Sequence, residues 1–244
     1  MSEARDTALS ASAMQKSFAA SASHELRTPT TSILGFVEEV LGNEELAEED
    51  RRSLEIVHRN ALRLSQLIDD LLILDQAEIG PSLMQLEPTA LVPLVERLMA
   101  TFTPQAHQGD VTLVTDLDPD PPSAMVDPAR LEQALTNLVG NAIKFTPSGG
   151  EVKVSIRSGQ EIVQISVTDT GIVIAPGDLV GIFDRFFRTK NVLDTHIKGS
   201  GLGLAIARRM IEAQNGQIDV TSEVGRGSTF TVTVPVAMLA PQQL

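Results

Sequence analysis

Apolar positions in the first eighty residues recur at helical spacing. Ala11, Met14, Phe18, Ala22, Leu26, Ile33, Phe36 and Val40 trace one stripe, and Gly42-Asn43 ends it. After an acidic turn, Leu54, Val57, Ala61, Leu64, Ile68 and Leu71 follow at intervals of 3, 4, 3, 4 and 3, a heptad seam. Two amphipathic helices joined by a short loop predict a helical hairpin. One hairpin cannot cover its own stripes. A dimeric four-helix bundle built from two chains covers them most economically; packing against the rest of the same chain is the alternative. Gly80-Pro81 ends the second helix and marks a linker, so residues 1–80 and 81–244 read as two domains.

Beyond the linker the pattern is mixed. Ala90 to Gln108 is helical in pattern, with Pro93 and Pro104 expected to limit its length. Val111 to Leu117 alternates like a strand, and Asp118 to Pro122 is a loop. Asp127-Pro128 supplies an N-cap and an N1 proline for a helix running to Phe145. Val152 to Arg157 and Ile162 to Thr168 predict antiparallel strands around Ser158-Gly159. Leu202 to Asn215 predicts a helix ending at Gly216, and Ile218 to Thr221 with Ser228 to Val234 a last hairpin. The fold expected is an α/β sandwich, with helices covering one face of a mostly antiparallel sheet.

Composition narrows the function. Apolar residues make up 42% of the 244, enough for a packed core. There are no Cys, which excludes disulfides and thiolate metal sites. A formal charge of −13 argues against nucleic acid and against an anionic membrane surface as partners. No apolar run reaches the roughly 20 residues of a membrane span, and Met1 to Lys16 lacks the apolar core of a signal peptide. A soluble protein, or the cytoplasmic part of a longer membrane sensor, is expected.

The first candidate for chemistry is Ser23-His24-Glu25-Leu26-Arg27-Thr28-Pro29. His24 lies off the apolar stripe and shares a face with Arg27 and Thr28, three and four residues on. A neutral imidazole nitrogen is a competent nucleophile near pH 7, and Glu25 is a neighbouring carboxylate able to take or orient the other ring proton. Pro29 predicts a kink just past the site. This run resembles the H box of histidine kinases with a HisKA-type dimerisation domain, and Phe18 falls at that family's spacing. The resemblance implies that His24 accepts phosphate, that Glu25 is the base in autophosphorylation, and that Thr28 orients water for dephosphorylating the partner.

On the helix from Arg130 to Phe145, Leu131, Leu135, Leu138, Ala142 and Phe145 form an apolar stripe, with Asn137, Asn141 and Lys144 forming a polar one beside it. Asn is a poor mid-helix residue, so two of them one turn apart need a reason. Amide oxygens suit Mg²⁺, and Lys meets phosphate. The string resembles the N box of the same family, which implies that Asn141 holds Mg²⁺ with Asn137 and Lys144 near the triphosphate of ATP. Asp169-Thr170-Gly171 closes a strand and resembles the G1 box, implying that Asp169 reads adenine while Gly171 lets the backbone come close. Val173 stands where the family has a second Gly, and it is expected to move the pocket wall or stiffen the adjoining loop. Ile182 to Arg188 resembles the F box, which leads into a lid over Thr189 to Lys198 and offers Arg185 or Arg188 to the γ-phosphate. Gly199-Ser200-Gly201-Leu202-Gly203 opens a helix, as a phosphate cradle does. It resembles the G2 box, and the Gly225 to Thr229 segment matches the family's closing turn.

Together the boxes imply a Bergerat-type ATP-binding domain after the hairpin. They imply a homodimer that passes phosphate from His24 to an Asp on a response-regulator receiver domain. Two other readings stand beside this one. An ATPase like that of gyrase B carries a water-activating Glu where this chain has Asn137. A degenerate kinase, impaired by Val173, acts mainly as a receiver-docking module or phosphatase. The remaining histidines, His58, His107 and His196, have no partners at metal-ligand spacing.

Overall fold

In a computed structural model, the structure describes residues 26–43, 46–76, 84–189, 197 and 199–237. The chain divides into two compact units, Met1–Ile79 and Gly80–Leu244. His24, Glu25, the Gly80-Pro81 linker and most of the expected lid lie outside the described residues. Among the described residues no helix is long and apolar enough to cross a membrane.

The first unit is a helical hairpin. Helix α1 covers residues 26–41 and α2 covers Glu48–Gln76. α1 runs through Pro29 without a break. At its C-terminus the Arg51 guanidinium donates to the carbonyls of Leu41 and Asn43, each at 2.9 Å, satisfying groups that a helix end leaves open. Glu48, Glu49 and Asp50 sit in the first turn of α2, where the helix dipole favours negative charge. His58 Nε2 meets Glu38 Oε1 at 3.0 Å and ties the two helices further along.

The heptad seam of α2 divides. Ala61 and Ile68 are buried, together with Thr30 and Val37 of α1, whereas Val57 and Leu64 are 44% and 43% exposed. Alternate seam members thus face the hairpin interior and the outside. On α1, Leu26, Ile33, Phe36 and Val40 are likewise exposed. A single hairpin has one contact line, so its second apolar stripe stays open.

The second unit is an α/β sandwich. Its elements are β1 (Glu87–Thr89), α3 (Leu91–Gln108), β2 (Thr112–Leu117), β3 (Ala124–Val126), α4 (Pro128–Phe145), β4 (Glu151–Ser158), β5 (Ile162–Asp169), α5 (Gly203–Glu212), β6 (Gln217–Glu223) and β7 (Gly227–Pro235). The main sheet runs β2-β4-β5-β7-β6, and β1 pairs with β3 in a two-stranded ribbon. β2 lies parallel to β4; all other pairs are antiparallel. Parallel neighbours need a long crossover, here the passage through α4. Val152, Val154 and Ile156 of β4, Val163, Ile165 and Val167 of β5, and Val232 and Val234 of β7 are fully buried, the period of two that one covered face requires. The helices meet that face: α3 packs on β2, α4 on β4 and β5, and α5 on β6, with α4 between the other two helices.

Two local expectations need correction. Pro104 does not shorten α3: the buried face from Leu91 to Ala106 continues across it, and that burial outweighs the single ladder bond a proline removes. α5 is shorter than the pattern predicts. Its last turn closes with Gly216 N–H donating to Ile211 O at 3.0 Å, and Asn215 takes the left-handed position at φ 60°. The three-residue strands β1 and β3 carry too few residues for a periodic signal.

α4 is fixed by a polar knot at its start. The Asp127 carboxylate caps the helix by accepting from Arg130 N–H at 3.1 Å and also accepts from Gln85 N–H at 3.2 Å. Asp127 N–H donates to Oε1 of the fully buried Gln214, whose Nε2 donates to Met210 O, both at 2.9 Å. Replacing Gln214 by Leu keeps the volume but strands the Asp127 donor and the Met210 acceptor. Urea denaturation of Gln214→Leu is expected to show a loss of about 1–3 kcal/mol in unfolding free energy.

Candidate functional site

α4 carries two stripes, and packing decides which way each faces. Leu131, Leu135, Leu138 and Ala142 are buried, and this turns Asn137, Asn141 and Lys144 along one half-buried edge. The glycine segment before α5 lies against that edge. A Cβ added at Gly203 would sit 3.7 Å from Asn137 Oδ1 and 3.8 Å from Asn141 Nδ2, and one at Gly199 would sit 2.6 Å from Lys144 Nζ. The fully buried Leu202 anchors the segment between them. The structure thus brings together two amides, an ammonium group and a glycine-rich helix start, which are far apart in sequence. Lys144 Nζ also stands 4.9 Å over the Phe145 ring.

Asp169 ends β5 beside the last turn of α4. Ile172 N–H donates to Phe145 O at 3.1 Å, and Gly171 packs directly on that carbonyl. The Asp169 side chain is 4% exposed and accepts from Gly171 N–H at 2.8 Å and from Ser228 N–H. Burial pushes its carboxyl above the ordinary aspartate range, and the two N–H groups pull it part of the way back. Gly227, at φ 91°, crosses so close to the Asp169 carbonyl that any side chain would overlap it. Thr229 is next along, its Oγ1 3.1 Å from Thr168 Oγ1.

The F-box residues form turns. Phe183 packs edge-on against Phe230, with centroids 6.4 Å apart, and the Phe187 ring lies against Gly181. Phe186 is 62% exposed and has φ 63°. Its N–H donates to Gly201 O at 2.9 Å, and Gly201, at φ 73°, leaves no room for a Cβ against the Phe186 backbone. This contact joins the F-box turn to the glycine segment. Arg188 donates to Ile197 O at 2.7 Å, and Arg185 is exposed. Thr28 lies exposed on α1.

Val173 is half-buried and lies outside the left-handed region; the described non-glycine residues found there are Asp110, Phe186 and Asn215. The loop therefore accommodates Val without the strain that a glycine-only conformation would impose. Gln214 and Ser222, outside the motifs, and Ser228, within the closing turn but given no role there, hold the surroundings of the site. Their signal is a lone amide or hydroxyl in an otherwise ordinary helix end or strand.

Residues 14–80 match the His Kinase A (phospho-acceptor) domain family, and residues 126–238 match the histidine kinase-, DNA gyrase B- and HSP90-like ATPase family. The chain belongs to the histidine kinase family. It is 37% identical over 225 residues to Drug sensory protein A of Synechocystis, a match covering 87% of this chain and 34% of that protein. It is 37% identical over 223 residues to the sensor histidine kinase RppB of the same organism, covering 91% of this chain and 49% of that one. The chain thus spans less than half the length of these relatives. Among solved structures, full-length ShkA in complex with AMPPNP gives a TM-score of 0.80 at 31% identity, over 92% of this chain and 46% of that chain.

The groups brought together are of the kinds that meet a nucleoside triphosphate, in keeping with the ATPase family match. Amide and ammonium groups line the α4 edge, the glycine segment packs against them, and a buried carboxylate stands beyond the end of the helix. Among the described residues there is no cluster of three His, Cys, Asp or Glu to cage a metal.

The Asp169 carboxyl also has a measurable cost. Its folded-state value is raised, so the folded chain binds more protons than the unfolded chain from 3.8 upward to that raised value, and stability falls as pH rises through this window. Asp169→Asn removes that penalty. At pH 7 the variant is expected to unfold at equal or higher denaturant than the parent. The gap should close as pH is lowered through the window, and paired denaturation curves would show it.

Proposed function

We propose that this chain is the core of a sensor histidine kinase that autophosphorylates on His24 and passes the phosphoryl group to an Asp of a response-regulator receiver domain. The observation that carries the reading is the convergence of the Gly199–Gly203 segment on Asn137, Asn141 and Lys144, with the buried Asp169 carboxylate beyond the end of α4. Asp169 reads the exocyclic amine of adenine, with Gly171 and Thr229 alongside. Asn137, Lys144 and the backbone of Gly199, Gly201, Leu202 and Gly203 receive the phosphates, with Arg185 or Arg188 serving the γ-phosphate. Asn141 holds Mg²⁺, which offsets phosphate charge. With neither Trp nor Tyr in the chain, aliphatic and Phe side chains must hold the base.

In the transfer, an imidazole nitrogen of His24 bonds to the γ-phosphorus as its bond to the ADP oxygen breaks. Glu25 takes the proton from the other ring nitrogen. The exposed apolar stripe of α1 and α2 supports a homodimer through the hairpin, where a second copy would cover Leu26, Ile33, Val57 and Leu64. Use of ATP places the reaction in the cytoplasm. A kinase impaired at Val173 is the second reading; Val173 lies outside the left-handed region, so any such effect acts through the path of the loop and not through backbone strain.

Incubation with labelled ATP·Mg²⁺ tests the proposal. The parent should acquire acid-labile, base-stable label, and His24→Gln should acquire none while binding ATP with nearly unchanged affinity. Stoichiometric label on His24→Gln would refute the assignment.

Thr28 is proposed to hold the water that dephosphorylates the receiver. Thr28→Ala is expected to slow dephosphorylation of a phosphorylated receiver more than it slows labelling of His24. Equal losses in the two assays would reduce Thr28 to a structural role in α1.

A further inference from the structure

Behind Asp169 lies a hydroxyl network centred on Ser222, which stands outside all of the motifs. Ser222, on β6, faces Ser228 on β7 across the ladder, with Oγ atoms 3.1 Å apart. Ser222 Oγ donates to Gly227 O at 3.0 Å and accepts from Ile174 N–H at 2.9 Å. A hydroxyl has one hydrogen, so Ser222, already donating to Gly227, must accept from Ser228. All proton directions are then fixed, and every capacity of the Ser222 oxygen is used.

The network closes on the adenine side of the site. Ser228 gives its hydroxyl hydrogen to Ser222 and its backbone N–H to the Asp169 carboxylate. The loop after Asp169 is pinned at two places: Ile172 N–H holds Phe145 O, and Ile174 N–H holds Ser222 Oγ. Gly171, which also donates to Asp169, and Val173 belong to this loop. Thus the two N–H groups that aim the carboxylate come from two segments, the loop and β7, and Ser222 is the side chain that joins them.

We infer that Ser222 is a positioning residue for base recognition, holding the 171–174 loop and the start of β7 in the register that aims the Asp169 carboxylate. This rests on the reading of Asp169 as acceptor of the adenine amine. A carboxylate so aimed accepts from the 6-amino group of adenine and repels the 6-oxo group of guanine. A site built on one hydrogen bond rejects the analogue lacking it, provided the acceptor is held still. Loosening the register therefore erodes discrimination between ATP and GTP, while phosphate binding at α4 and the glycine segment is kept.

The test is the ratio of GTP to ATP dissociation constants, measured by titration of the whole chain. Ser222→Ala is expected to lower the ratio by roughly tenfold, mainly by weakening ATP. Ser222→Thr keeps the hydroxyl and should hold the ratio near the parent's. Ser222→Cys, close in size and a poor acceptor, should lose the ratio as Ala does and serves if Ala unfolds the hairpin. Equal weakening of ATP and GTP, or a ratio lost equally in the Thr variant, would overturn the inference, because general destabilisation acts that way. Asp169→Asn separates the two levels. If it loses the ratio while Ser222→Ala and Ser222→Cys keep it, the Ser222 inference alone falls. If Asp169→Asn keeps the ratio, the reading of Asp169 falls and takes the inference with it.

Discussion

The rotation of α4 about its own axis is the constraint on which the site depends. Burial of Leu131, Leu135, Leu138 and Ala142 against the sheet leaves one orientation for the helix. Each such side chain contributes on the order of 1–3 kcal/mol, so rotation by one residue would expose several of them at once. The polar row Asn137, Asn141 and Lys144 is carried with the apolar one. Asp127, held by Gln214, sets where the helix starts, and Phe145 O receives the loop after β5 where it ends. The helix is therefore fixed in rotation by the core and in position by polar contacts at both ends.

Close approach of backbones does the rest. Gly203 and Gly199 come within contact of the α4 side chains, and Gly227 crosses the carbonyl of Asp169. At Gly199 and Gly227 a side chain would overlap the Lys144 ammonium group or the backbone of Asp169. Asp169 works against stability, since burial raises its carboxyl above the ordinary aspartate range by more than its two N–H donors lower it. A fold that keeps such a group gives up some stability at neutral pH for an acceptor that water does not compete for. Phe186 is a comparable case. Its exposed ring gains nothing from burial, yet its left-handed backbone persists, held by Gly201.

The hairpin shows the same logic at a larger scale. From Val57 to Ile68 one apolar seam serves two surfaces, because alternate steps of three and four point to opposite sides of the contact line with α1. Ala61 and Ile68 complete the hairpin, and Val57 and Leu64 are left for another surface. His58 and Arg51 hold the two helices together with polar contacts, leaving the exposed stripe apolar.

The sequence by itself determined the elements with strong period: both hairpin helices, α4 with its cap and proline, and the central strands. It also offered the candidate groups, because His24, Asn137, Asn141, Lys144, Asp169 and the glycines stand in recognisable strings. Local rules suffice there, since a cap, a heptad or an alternating strand involves residues within a few positions of each other. Only the tertiary structure decided that β2 runs parallel to β4, that α3 continues through Pro104, and that Phe186 is exposed with a left-handed backbone. It alone joined Gln214 to Asp127, 87 residues apart, and Ser222 to Ile174, 48 apart. These contacts depend on which segments the core brings together, and a single hydroxyl or amide carries no mark of its distant partner.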